Sequence, residues 1–180
     1  MHTSKARSIL IILCTLCFQS PAIAQQPFAK SSAWQVYFSP RGGATEAIVQ
    51  TLDDAKSTVL VQAYSFTSRP IAEALVRAHE RGVNVTVILD NSQRTQRYSV
   101  VHSLVQAGIP TFIDASHAIA HNKVMIIDGA IVVTGSFNFS KAAEERNAEN
   151  LVIIHDKQVT SQFADNWRFH LHHSLPFRRR

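Results

Sequence analysis

His121 and Lys123 stand two residues apart, and Asp128 and then Gly135-Ser136-Phe137-Asn138 follow them. On a strand, residues two apart point to the same face, so His121 and Lys123 converge. A neutral imidazole nitrogen can attack phosphorus, and a lysine ammonium beside it can hold a non-bridging phosphate oxygen. Met125 and Ile127 continue that face as apolar residues, which puts the polar pair at one end of the strand with core beneath it. Ser136 and Asn138 are again two apart. A hydroxyl, a carboxamide and backbone N–H groups form a neutral cradle for phosphate oxygens, and Gly135 lets the backbone approach a ligand closely. Alone, each residue has a bland explanation: a lone His is usually structural and Gly-Ser is usually a turn. The combination is far more specific than its parts.

Asp128 differs from the others. Its offset from His121 is odd, so a regular strand turns it to the opposite face. Asp128-Gly129 between two apolar runs is a hairpin signal, in which Asp has a local backbone role. Asp128 and Gly135 therefore read as structural members of the pattern.

Written out, the pattern is H-x-K-x4-D-x6-G-S-x-N. It resembles the HKD motif of the phospholipase D superfamily. The short chain, the single motif copy and the apolar N-terminus look most like the small bacterial endonuclease branch. The resemblance runs on through Phe139 and into Asn147-Ala148-Glu149-Asn150. It implies catalytic roles for His121 and Lys123, and phosphate binding by Lys123, Ser136 and Asn138. It also implies that Glu149 accepts a hydrogen bond from the second ring nitrogen of His121. Such a contact fixes the tautomer and stabilises the imidazolium, as an aspartate does in a serine-protease triad.

Other features carry less. His155-Asp156-Lys157 repeats H-x-K without the rest of the motif and reads as a helix start capped by Asp156. His170, His172 and His173 read as an exposed helix end, with no carboxylate or cysteine to complete a metal ligand set, so no metal is expected. Arg94, Arg97 and Tyr98 follow a strand end, where binding groups often lie; they read equally as nucleic-acid contacts or as a solvated helix start. Arg178–Arg180 is a basic tail able to add sequence-independent attraction to an anion.

The elements that must position these residues alternate in kind. Strands are expected at Trp34–Phe38, Thr58–Tyr64, Val83–Leu89, Thr111–Ile113, Lys123–Ile127, Ile131–Thr134 and Leu151–Ile154. Helices are expected at Glu46–Lys56, from Pro70 to Arg81 with Gly82 as the stop, at Ser99–Ala107 closed by Gly108, and from Asp156 to His172. This order predicts an α/β protein: a mixed β-sheet flanked by helices, which the resemblance makes a phospholipase D/nuclease-like α-β-α sandwich.

Residues 1–24 read as a signal peptide. Lys5 and Arg7 precede an apolar run from Ser8 to Phe18, and Ala22-Ile23-Ala24 offers a cleavage site before Gln25. Residues 25–180 then form one domain, periplasmic or secreted, with no stable membrane association after cleavage. Cleavage removes Cys14 and Cys17, the only cysteines, which excludes a disulfide, a thiolate nucleophile or a cysteine zinc site in the mature chain. It leaves 16 basic against 13 acidic groups, a balance that favours an anionic partner. With 46% apolar and 17% charged residues, disorder is excluded.

Displacement at a phosphodiester needs a nucleophile on one side and an acid for the leaving oxygen on the other. One His121 cannot stand on both sides, so a homodimer with the active site at its two-fold axis is expected. One ring attacks to form a phosphohistidine and its partner protonates the leaving group, with no cofactor. The expected activity is an exported, metal-independent endonuclease of low sequence specificity acting on DNA, with RNA not distinguished. The alternatives are a phospholipase D or phosphatidyl-transferring enzyme with the same histidine chemistry, and a nucleic-acid-binding module without turnover.

Overall fold

The computed structural model describes residues 33–178. The signal-peptide expectation for residues 1–24 lies outside them, as do Arg179 and Arg180. An eight-stranded mixed sheet runs in the order β1-β7-β6-β5-β2-β3-β4-β8. Its strands are β1 (Trp34–Ser39), β2 (Thr58–Ala63), β3 (Asn84–Asp90), β4 (Thr111–Asp114), β5 (Lys123–Ile127), β6 (Ile131–Gly135), β7 (Glu149–His155) and β8 (Leu175–Pro176). The helices are α1 (Ala44–Asp53), α2 (Arg69–Glu80), α3 (Val101–Gln106), α4 (Lys141–Glu145) and α5 (Lys157–His173). Among the described residues no helix is long and apolar enough to cross a membrane.

Strand alternation sorts the core into two layers. Met125, Ile127, Val133, Leu151 and Ile153 pack with Ile48 and Leu52 of α1 and Ile71 and Leu75 of α2. Val124, Ile126 and Val132 face the other way and pack with Ala164 and Trp167 of α5. The Trp167 indole N–H donates to the Val61 carbonyl at 2.9 Å, anchoring α5 to the sheet centre. The result is the expected α-β-α sandwich.

The local signals act as the residue types dictate. Pro70 lies in the first turn of α2, and Gly82 ends that helix with φ 88°. Asp156 caps α5 by accepting from the N–H groups of Gln158 and Val159. Helix α1 stops at Asp53, short of the expected Lys56, because the chain there turns to meet Asp128.

The β5–β6 hairpin turns through Asp128 and Gly129, whose φ values are 54° and 61°. The Asp128 carboxylate accepts from the N–H groups of Lys56, Ser57 and Thr58 and from the Ser57 hydroxyl, at 2.7–2.9 Å. Asp128 therefore fastens the α1–β2 connection at the end of β5 remote from Lys123. Burial opposes ionisation of this carboxyl, but the bonds from Thr58, Ser57 and Lys56 outweigh it and hold the pKa below its ordinary value.

A group with a lowered folded-state pKa gives its full stabilisation above the unfolded value, about 3.9, and loses it as pH falls through the folded one. Asp128→Ala should therefore lower stability by about 2–3 kcal/mol at neutral pH. The deficit should shrink as pH falls below the unfolded value of about 3.9 and on through the lowered folded one. Urea unfolding of both proteins across pH checks this; equal stability at pH 7 would remove the role.

Candidate active site

Lys123 opens the central strand β5, and its neighbour across the sheet is Ala63, the last residue of β2. The pairing continues one step further, where the Tyr64 N–H donates to the Asn122 carbonyl at 2.8 Å. This carries His121 to the sheet edge, where it is exposed, while Lys123 is only 6% exposed. The Lys123 Nζ lies 3.0 Å from His121 Nδ1 and donates to the His121 carbonyl at 2.9 Å. The Tyr64 ring packs on His121 with centroids 4.5 Å apart, and the Lys123 ammonium sits 5.2 Å from that ring's centre.

Burial pushes the Lys123 pKa below its ordinary value, and the nearby Glu149 charge pulls against that shift. An ammonium can only donate, so beside a charged Lys123 the His121 Nδ1 is the acceptor and the ring hydrogen sits on Nε2. In that tautomer the outward nitrogen is a proton donor.

Strand β6 supplies the other half. Gly135 has φ 145°, and a Cβ there would overlap the Asn150 carbonyl. That carbonyl accepts from the N–H groups of Ser136 and Phe137, so glycine lets the chain fold tightly onto β7. The Ser136 hydroxyl lies 2.7 Å from a Glu149 carboxylate oxygen and 3.1 Å from the Asn150 carboxamide oxygen. The Asn147 side-chain amide donates to the other Glu149 oxygen at 3.0 Å. The Asn138 Oδ1 is buried with no hydrogen-bond partner in the protein. A buried acceptor without a partner is costly.

One expected contact is not formed. Glu149 bonds Ser136 and Asn147 rather than His121, whose Nδ1 faces Lys123 instead. The reason is the sheet. Glu149 starts β7, two strands away from β5, and Ser136 at the end of the intervening β6 stands closer to it. Arg94 and Arg97 lie apart from this cluster. Arg94 ends the 3-10 turn after β3 and stacks over Phe177, while Arg97 stacks over Tyr98. Tyr98 and Arg97 line a broad groove with Ser65, Arg69, Lys141 and Arg146.

Sequence reasoning missed Tyr64, whose role follows from the β2–β5 pairing alone. It also misread the histidines of α5. His170 is buried, and Asp114 supplies the carboxylate that had seemed to be missing, with His117 and His173 beside it; His172 is exposed.

Comparison with known proteins gives the family. A family described as "Cardiolipin synthase, PLD-like domain" matches residues 48–169. The chain belongs to the phospholipase D superfamily. A phospholipase D of Rickettsia typhi is 45% identical over 130 residues, 72% of this chain and 64% of that protein's length. The chain thus matches slightly less than two thirds of that relative. Among solved structures, the phospholipase D family member Nuc of Salmonella typhimurium superposes with a TM-score of 0.77 and 38% identity, over 81% of this chain and 98% of that one. NucT from Helicobacter pylori gives 0.73 and 25%, over 80% and 99%.

Gly135→Ala tests the tight β6–β7 junction. The added methyl meets backbone rather than a mobile side chain, so we expect a loss of about 2–3 kcal/mol, in the range for overpacking. Unfolding in urea gives the measurement, and a loss under about 0.5 kcal/mol, the range of neutral surface changes, would contradict the geometry.

Proposed function

We propose that this superfamily member is a phosphodiesterase, an exported endonuclease of low sequence specificity that cleaves DNA through a phosphohistidine. The observation that carries the reading is an exposed imidazole 3.0 Å from a buried ammonium at the mouth of the central strand. An incoming phosphate draws the Lys123 ammonium toward its oxygen and frees Nδ1. Exchange with solvent then moves the proton from Nε2 to Nδ1, and the bare Nε2 becomes the nucleophile. The Ser136 hydroxyl and the N–H groups of the Asn138 carboxamide complete the cradle as donors.

Two tautomers of one residue thus serve two steps: Nε2–H gives a proton, and bare Nε2 attacks. Both are needed at once on opposite sides of phosphorus, which favours a two-fold dimer presenting two copies of His121. Phe38, 65% exposed opposite Asn150, and Ile119, 54% exposed two residues before His121, offer apolar surface for such an interface.

Nucleic acid is favoured over lipid as substrate by the net positive charge and by the groove bearing Arg69, Arg97, Tyr98 and Arg146. The Rickettsia relative's name supports the second reading, a phospholipase D. Plasmid DNA and phosphatidylcholine vesicles assayed side by side separate the two. We expect plasmid nicking without choline release, insensitive to chelator in the initial rate because the nucleophile is a side chain. Choline release without nicking would overturn the nuclease reading.

His121→Ala should reduce cleavage by at least ~10⁴-fold with the fold intact, because nucleophile and acid are lost together. Retention of a tenth of the activity would refute the assignment. Mixing a large excess of His121→Ala protomers with wild type, under exchange, should suppress the wild-type activity. Loss of no more than the mutant fraction would exclude the shared site.

A further inference from the structure

Strand β4 ends in Asp114, whose side chain is fully buried. Three imidazoles surround it. His170 Nδ1 lies 2.7 Å, His173 Nε2 3.2 Å and His117 Nδ1 3.3 Å from the same carboxylate oxygen. The Ser116 N–H donates to the other oxygen at 3.0 Å. His170 and His173 stand three apart on the last turn of α5, and Asp114 and His117 three apart across a loop start. One ligand atom from each of the four residues falls within a 4.8 Å sphere of separations.

We propose that Asp114, His117, His170 and His173 bind one divalent transition-metal ion, with zinc the best fit. The donor set is three imidazoles and one carboxylate, which suits a tetrahedral zinc ion. The arrangement of the rings supports the same geometry. Three imidazoles on one tetrahedral zinc, at Zn–N of about 2.0–2.1 Å, place their ring centres about 5.2 Å apart. The observed separations are 5.0, 5.3 and 5.2 Å. Donor atoms of such a site lie about 3.3 Å apart, so the widest pair closes by about 1.5 Å as the ion enters. His117, on a loop with its side chain 42% exposed, is the most exposed of the four ligands. Each ring nitrogen that faces Asp114 binds the ion without its hydrogen, and the outer nitrogen carries it.

The site is not the catalytic one. Asp114 lies on the α5 face of the sheet and Lys123 on the α1–α2 face, as the β2–β3–β4–β5 register requires. Its place gives the ion a structural task. His117 belongs to residues 115–122, the connection that delivers His121 to the active site, and α5 is the long helix of the opposite layer. An ion shared by β4, this loop and α5 would pin all three together.

The test is zinc titration of the full chain, stripped with chelator and dialysed, followed by calorimetry and elemental analysis. We expect one zinc per chain with Kd below about 1 µM, and cobalt(II) should give the visible bands of a tetrahedral site. At a hundredfold excess over Kd the thermal midpoint should rise by about 5–10 °C. His117→Ala, which removes an exposed loop side chain and leaves the core alone, should weaken binding at least about 10-fold, as should His173→Ala. His121→Ala and His172→Ala should bind as wild type. No stoichiometric zinc, or undiminished affinity in both His117→Ala and His173→Ala, would overturn the site. Loss of binding in His121→Ala alone would move the ion to the active site and equally refute the proposal.

Discussion

The Lys123 ammonium has lost most of the water that would solvate it, and the active site is organised around that loss. Its replacements are a carbonyl and a ring nitrogen of His121, the face of Tyr64 and the more distant charge of Glu149. Of these, the two from His121 are local, while Tyr64 directly follows β2 and Glu149 begins β7. They meet because the sheet runs β7-β6-β5-β2. Lys123 donates its hydrogen bonds to His121 atoms, and the one carboxylate that acts on it, Glu149, does so from a distance. An anion reaching the edge of β5 therefore meets a desolvated cation with no carboxylate bonded to it, where electrostatic stabilisation is strong.

The same strand carries a fold function at its other end. Along one face of β5 the order is Lys123, Met125, Ile127: charge at the mouth, then core. Asp128 follows in the hairpin turn and ties the α1–β2 connection. A motif written as three letters thus splits by position. His and Lys meet at one edge of the sheet, and Asp braces the opposite edge. The brace matters to the chemistry because β2 runs from the connection that Asp128 holds to Tyr64, the residue just beyond its end.

What the sequence made legible was local. Alternation located β5, β6 and their turn, and strand parity separated Asp128 from His121 and Lys123. Pro70, Gly82, Gly108 and Asp156 marked helix ends with known backbone mechanics. The features that escaped depend on partners distant in the chain. Helix α4, Lys141–Glu145, is too short to show a period, though Ser140 caps it. Strand β8 is two residues, one of them Pro176, paired at the sheet edge. Glu149 was recognised as part of the site, but its contact was assigned to His121 because nothing local reveals that Ser136 stands between them. The cluster at Asp114 left a trace, D-x2-H and H-x2-H. Only the docking of α5 beside β4 brings the two pairs together.

Electrostatics at the sheet edge makes that cluster more than a coincidence of packing. Asp90 and Asp114 are register partners on adjacent parallel strands, and both are buried. Like charges on neighbouring strands repel, and here little water screens them. Asp90 is relieved by the N–H groups of Ser92 and Ala120, the second of which belongs to the loop that leads to His121. For Asp114, burial would raise the pKa, but bonds from His170, Ser116, His173 and His117 hold it at about 2. Three imidazoles and one backbone N–H thus already converge on this one carboxylate, with ring centres 5.0–5.3 Å apart. A divalent ion bound there would take the place of the imidazole–carboxylate hydrogen bonds. It also adds a second anchor, beside the Asp90–Ala120 bond, to the loop whose last step sets the position of the reacting imidazole.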